Sequence, residues 1–463
     1  MIPVAFRLSG RQHAQLQAHL FPGDGKEAVA IIIAGRRAGA EQHVLTAREL
    51  MLIPHNECAE RHSDFIRWPT SRLFERLPRV ASNDLAVVKI HSHPGGYRDF
   101  SLRDDGSDFE LFRSIFGWSD SLHPHASLIM LPGGEIFGRA IWPEQRCERL
   151  RSIVVAGNDL KMWFSEAPHE ELPESLVRNA QAFGGGTLST LRRLRAGVVG
   201  CSGTGSPVIE QLARLGIGSL VLVDPETIEE KNLNRILNAT ADDAANRRTK
   251  VSVLKRAIDS MGFGTEVVTI ADHLGQPDVV RQLASCDILF GCMDSVDGRQ
   301  LLNRLAAFYS IPYFDVGVRL IADGRGGVSH ICGSVHYLQP DGASLVSRGI
   351  ISEDRIRAEA LHRESPEHYA NLRDEGYIAG VAEDRPAVLP VNMLFASLAI
   401  NEFLARLHNY RHDDNQHFAQ VTLSLEQAQF YFTEEGQPCP ALAKHVGRGD
   451  VIPLLDRPAL SER

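Results

Sequence analysis

No apolar run in the 463-residue sequence approaches the roughly 20 residues that span a bilayer; Ala28 to Ala34 is only seven. The opening MIPVAFRLSGR lacks a basic head followed by an apolar core, which argues against a secretory signal peptide. Seven cysteines (Cys58, Cys147, Cys201, Cys286, Cys292, Cys332, Cys439), odd in number and scattered, make no disulfide framework and point to a reducing, cytoplasmic setting. A basic excess is also missing. Lysine plus arginine (49) against aspartate plus glutamate (58) leaves a net charge of −9, unsuited to a general nucleic-acid sleeve. Neither a nucleic-acid nor a membrane partner is therefore expected. No internal repeat is present. What remains is ordinary globular composition, 43% hydrophobic and 23% charged. The length suggests about three domains, with two large ones the expected arrangement.

Residues 10–20 have helical spacing, and 28–34 read as a buried strand. Leu85 to Ile90 is a strand running into HSHPGG; Ala126 to Met130 and Gly134 to Trp142 follow, so the first 150 residues form a mixed α/β block. The polar, glycine- and proline-bearing stretch 155–188 marks a boundary. After it come a strand (Ala196 to Val199), a glycine loop, a helix (Pro207 to Leu215) and a strand (Ser219 to Val223), the opening of a doubly wound parallel sheet. A helix near 250–260 and strands at Glu266 to Ile270 and Ile288 to Cys292 continue it. Residues 340–386 read as a charged, irregular and mobile crossing segment, before a helix at 391–408 and strands around Val421 to Leu425 and Phe430 to Phe432.

In the first block, His91 and His93 follow an apolar strand, and Ser101 and Asp104 come shortly after. Residues i and i+2 at a strand end face the same side, so both imidazoles can meet one ion. Asp104, in the first turn of a helix, adds an oxygen ligand, leaving the fourth position of a tetrahedral zinc for water. Glu27, directly before the 28–34 strand, is placed to take a proton from that water, although Glu41 and Glu49 also precede the histidines. Ser101 can donate to the oxyanion of a tetrahedral intermediate. The string H-x-H, seven residues, S-x-x-D, with an upstream glutamate, resembles the JAMM (MPN+) metalloprotease family over residues 1–150. The resemblance implies one zinc ion and cleavage after the C-terminal glycine of ubiquitin-like proteins. Many MPN domains are scaffolds without these ligands; here every position is filled.

In the second block, Gly200, Gly203 and Gly205 lie between strand and helix, where backbone can approach phosphate at a helix N-terminus. Asp224, ending the second strand, suits a ribose hydroxyl. The run DPETIEEKNLNR, then Lys250, then CMDSVDGR, resembles the ThiF/MoeB adenylyltransferase family, relatives of ubiquitin-activating enzymes, over about residues 178–410. The resemblance places Asn232, Arg235 and Lys250 at ATP, magnesium on Asp294 ahead of Arg299, and Arg178 in a partner subunit's nucleotide site, hence a homodimer. Its chemistry is attack of a glycine carboxylate on the α-phosphate of ATP, with Arg235, Lys250 and the metal neutralising charge. The family's zinc-knuckle pairs fall on Ser344 and Ser347, and on Cys439 and Leu442, so that site is lost.

No cysteine occurs in 340–390, where thioester-forming relatives carry one; Cys439, in a polar tail, is the one plausible exposed thiol, and the favoured reading makes it a relic of the lost zinc pair. The combined expectation is an α/β chain: a JAMM domain (1–155), a linker (156–188), a Rossmann-like ThiF adenylation domain (189–410) and C-terminal strands and tail (411–463). Both halves would act on one substrate, the glycine tail of a ubiquitin-like protein, in a bacterial conjugation pathway of the kind associated with antiphage defence. The alternative is processing and activation of a sulfur-carrier protein for cofactor or metabolite synthesis.

Overall fold

Alternation of buried and solvated positions gives way in this chain to runs buried on both faces, and such strands end up inside sheets. The computed structural model describes residues 2–118, 121–165, 173–323, 325, 327–365 and 387–461. They divide into two compact units: Met1–Pro168 with Phe308–Ser310 and His445–Ile452, and His169–Ala307 with Ile311–Lys444 and Pro453–Arg463.

The first unit carries β1 (Val4–Ser9), β2 (Val29–Ala38), β3 (His43–Leu52), a small hairpin of β4 (Glu60–Arg61) and β5 (Ile66–Arg67), β6 (Ala86–Ser92), β7 (His125–Met130), β8 (Ile136–Ile141), β9 (Cys147–Arg149), β10 (Ser152–Ala156) and β11 (Leu160–Phe164). Nine of these form one sheet in the order β11-β10-β1-β3-β2-β6-β7-β8-β9. Ser9 ends β1 and starts the Gly10–Leu20 helix with a reciprocal capping box to Gln12. The boundary expected at 155 falls inside β10, and β10 and β11 extend this sheet to Phe164. The 445–452 segment lies on β2, where the Gly35 N–H donates to Gly447 O at 3.2 Å.

β6 has two apolar faces. Val88 and Ile90 enter a core with Phe6, Leu16 and Ile32, while Leu85 and Val87 meet Leu111, Phe112 and Ile115 of the Leu102–Phe116 helix. The strand face that carries Val87 also carries Lys89, His91 and, at the strand end, His93. The i, i+4 spacing of Asp104 and Asp108 on the helix and the i, i+2 spacing of Lys89 and His91 on the strand bring Asp108 opposite Lys89 and Asp104 opposite His91.

The second unit has β12 (Arg195–Val199), β13 (Ser219–Val223), β14 (Glu266–Ile270), β15 (Ile288–Gly291), β16 (Tyr313–Ala322), β17 (Val328–Leu338), β18 (Gln420–Ser424) and β19 (Gln429–Thr433). Their order is β14-β13-β12-β15-β16-β17-β18-β19, with β14 through β16 parallel and the rest antiparallel. The direction of winding reverses at β12, so its C-terminal end opens onto the crevice where doubly wound sheets bind ligands. The crossing segment differs from its irregular reading: Leu345 and Ile351 are buried, and Glu353–Glu364 is helical. Its part at 366–386, like 166–172 of the expected linker, lies outside the described residues. Among the described residues no helix is long and apolar enough to cross a membrane.

Candidate functional site

The first cluster is built from the β6 end and the helix facing it. His91 Nε2 lies 3.1 Å from His93 Nε2 and 3.0 Å from Asp104 Oδ1, and His93 Nε2 lies 3.6 Å from Asp104 Oδ2. Ligand atoms around a tetrahedral zinc with 2.0–2.1 Å bonds are separated by about 3.3 Å. The separations bracket that value, with His91 meeting Oδ1 and His93 meeting Oδ2 of Asp104. Glu27 Oε1 is 4.0 Å from His93 Nε2; the donors of Glu27, His91 and His93 also lie within 4.8 Å of one another. Two ligand triplets can therefore be drawn, and the shorter separations favour Asp104 over Glu27. Tyr97 O accepts from His93 Nδ1 at 2.9 Å, which leaves Nε2 free to ligate.

Electrostatics follow from burial. Glu27, 5% exposed, has its pKa raised to about 7, chiefly by desolvation against the opposing pull of His93. Burial lowers His91. For His93 burial acts in the same sense, but hydrogen bonding to Asp104 and Tyr97 outweighs it and the pKa rises. Burial alone would raise Asp104; hydrogen bonds from both imidazoles and Ser101 reverse this and hold it ionised. Ser101 is the N-cap of the helix, its hydroxyl donating to Asp104 Oδ2 at 2.7 Å and accepting from Asp104 N at 3.2 Å. The hydroxyl read from sequence as an oxyanion donor thus holds the Asp104 carboxylate. Sequence reasoning missed the adjoining network. Lys89 Nζ and Arg139 Nη2 each lie 2.7 Å from Asp108, and the Arg139 guanidinium stacks 3.9 Å from the Phe100 ring centre. The period-two spacing of Lys89, His91 and His93 was the available signal.

The second cluster surrounds the loop after β12. Gly200 has φ +90°, and a Cβ there would sit 2.7 Å from Cys292 O; one on Gly205 would sit 1.8 Å from Gly200 O. A Cβ on Gly203 would lie 2.4 Å from Asn392 Nδ2 and 3.1 Å from Arg235 Cδ. Asp224, buried, accepts from Cys201 N at 2.7 Å and Glu226 N at 2.9 Å, bracing the loop while keeping lone pairs for a hydroxyl. Burial raises its pKa, with Lys250 opposing. Lys250 is buried and paired with Glu226. Asn232, also buried, accepts from Glu229 N at 3.0 Å in a capping box. Arg235 donates to Lys231 O at 2.7 Å. Asp294 is exposed between β15 and the Val296–Phe308 helix, whose first amides, Val296 N and Asp297 N, donate to Glu359 at 2.5 and 3.2 Å. Sequence reading did not single out Glu359. Arg299 turns inward to a buried pair with Asp315, which also accepts from the Tyr313 hydroxyl at 2.7 Å. Arg178 is exposed on the Val177–Phe183 helix, 3.4 Å from Gln181.

Cys439 corrects an expectation. It is 3% exposed, packed with Ala307 and Leu442, because the proline after it begins a short helix that folds the thiol inward. Ser344 and Ser347 satisfy each other's amides at 2.8 and 3.1 Å, and Cys439 N donates to Gly342 O at 3.0 Å, so hydrogen bonds occupy the region of the lost knuckle.

The parallel sheet, its switch point and the glycine loop define a nucleotide-binding α/β protein. The chain belongs to the ThiF family, which matches residues 176–438 and so extends through β18 and β19. It is similar to the adenylyltransferase and sulfurtransferase UBA4 of Meyerozyma guilliermondii, 26% identical over 34% of this chain and 37% of that protein. The SAMP-activating enzyme E1 of Haloferax volcanii is 27% identical over 32% of this chain and 50% of that one. The sulfur carrier protein ThiS adenylyltransferase of Bacillus subtilis is 24% identical over 27% and 37%. The chain thus spans between about a third and a half of these relatives. Among solved structures, E. coli MccB with ATP is 20% identical over 60% of this chain and 75% of that chain, with a TM-score of 0.44.

Proposed function

We propose that the chain adenylates the C-terminal glycine of a small ubiquitin-like or sulfur-carrier protein in its second unit and hydrolyses the bond after such a tail in its first. The first unit is read as a JAMM domain and the second as the adenylation domain. Membership of the ThiF family, with Arg235 beside Gly203 and Lys250 close enough to act on Asp224, supports the first activity. The donor separations among His91, His93 and Asp104 support the second.

His91, His93 and Asp104 would hold one zinc ion. Bound there, zinc supplies Lewis acidity to a water and to the scissile carbonyl. Glu27, at the edge of this set and with a raised pKa, takes the proton from water and returns it to the leaving amine. Across the second site, loop amides and Arg235 would receive phosphate, Asp224 would receive the ribose, and Asp294 would hold magnesium. Lys250 leaves Glu226 to meet negative charge developing on the phosphates. Arg178 acts in a partner copy's site.

Metal analysis and ATP–pyrophosphate exchange test the two halves separately. One zinc per chain, lost in His91→Ala and retained in an inactive Glu27→Gln, is expected; a zinc-free wild-type protein would overturn the hydrolase. Carrier-dependent exchange is expected from wild type, and mixing Arg178→Ala with Asp294→Ala should restore part of it. No recovery in a mixture that exchanges subunits removes Arg178 from a site in trans. The sulfur-carrier reading is favoured over a thioester cascade by the burial of Cys439 and the absence of cysteine from 340–390.

A further inference from the structure

We infer that Asn392 is a nucleotide-binding residue of this chain, its side-chain amide donating to a phosphoryl oxygen of the nucleotide on the glycine loop. The inference rests on the adenylation reading and adds a residue to it.

Asn392 lies in the first turns of the Leu389–Leu407 helix, among Val391, Phe395, Ala396, Ala399 and Ile400, all buried. At this position an aliphatic side chain would pack as its neighbours do. Asn392 is instead a polar side chain only 3% exposed, and its Nδ2 has no hydrogen-bond partner among the described residues. A buried amide donor without an acceptor is rare in folded proteins and calls for a ligand or a bound water. Its direction is given by Gly203, whose added Cβ would sit 2.4 Å from Nδ2, with Arg235 Cδ 3.1 Å from the same point. Glycine at 203 is therefore required by Asn392 as much as by the loop. The amides of Ser202, Gly203 and Thr204 likewise have no acceptor among the described residues. Loop amides and one side-chain amide thus converge as donors, with the stem of Arg235 beside them. Their complement is a group rich in acceptor oxygens and negative charge, which a phosphate is and a ribose or base is not.

The test measures binding of ATP with Mg2+ to the full chain, without carrier, by calorimetry, beside thermal unfolding of the nucleotide-free protein. Asn392→Leu keeps most of the volume and Asn392→Ala removes it; both should weaken ATP binding about 10- to 100-fold, the loss of a hydrogen bond to a charged group. Asn392→Asp, an isostere that can only accept and is negative, should weaken it further. The nucleotide-free Tm of Asn392→Leu should match or exceed wild type, because an unsatisfied donor has been removed. Wild-type ATP affinity in Asn392→Leu overturns the inference, as does an affinity loss that tracks a lowered Tm. A wild-type protein that binds no ATP overturns the adenylation reading itself.

Discussion

In the first unit Asp104 sits between two buried imidazoles at 3.0 and 3.6 Å, whereas in the second Asp294 stands exposed on a loop and the buried ammonium of Lys250 is held by Glu226. The donors of the former cluster lie within hydrogen-bonding reach of one another. Its charges are matched within the core, and a metal would replace shared protons without moving side chains. The latter has its backbone cradle in place, but its charged groups have other partners, so ligand binding must exchange one set of ion pairs for another. On the proposed reading, a hydrolytic metal site is paired in advance but still has to admit water, whereas a nucleotide site would open its ion pairs in each cycle.

Asp108→Ala should have the largest effect on stability, since it leaves Lys89 buried without its carboxylate and Arg139 with Asp105 alone; about 3–5 kcal/mol is expected. Denaturant unfolding of the first unit, with zinc content, would measure it. A loss below about 1 kcal/mol, the level of an exposed pair, would show that the network does not support the cluster. Asp294→Ala, being exposed, should leave Tm and hydrolysis unchanged while carrier-dependent exchange falls about 100- to 1,000-fold. A lowered Tm would mean that this site too is held together before ligand arrives.

A smaller effect is the pH response of the second unit. Burial holds His336 at a pKa of about 4, below its ordinary 6.5, despite the attraction of Asp315. Above pH 6.5 neither folded nor unfolded His336 is charged. As pH falls from 6.5 to about 4 the unfolded chain binds the proton first, so the second unit loses stability over that window. His336→Gln should flatten the slope; an unchanged slope in denaturant midpoints would assign it to other groups. Smallest is Cys439→Ala, costing about 1 kcal/mol for a small buried cavity. It should leave unchanged the absence of any reductant-sensitive carrier adduct. An adduct seen in wild type and missing in Cys439→Ala would make this buried thiol reactive.

Much of the ThiF unit was legible because its chemistry is local. Gly200, Gly203 and Gly205 follow one strand and precede one helix, and the strands Ser219–Val223 and Glu266–Ile270 were read with the bounds they have. β1 and β3 were not foreseen. His43–Leu52 mixes His, Thr, Arg and Glu with apolar residues, and its strand character comes from pairing with β1 and β2 rather than from alternation. β10 and β11 were cut by a boundary drawn from composition, since nothing local announces that they pair with β1.

The sequence by itself determined the donor types, the period-two histidines and the helix start at Ser101, all properties of spacing within one element. Only the tertiary structure decided which groups meet across elements. It set Glu27 4.0 Å from His93, turned Arg299 toward Asp315, buried Cys439 and left Asn392 facing Gly203. The reason is physical. Spacing along a chain fixes the side of a strand or helix on which a residue lies, but burial and partner choice depend on neighbours distant in sequence that only packing brings near.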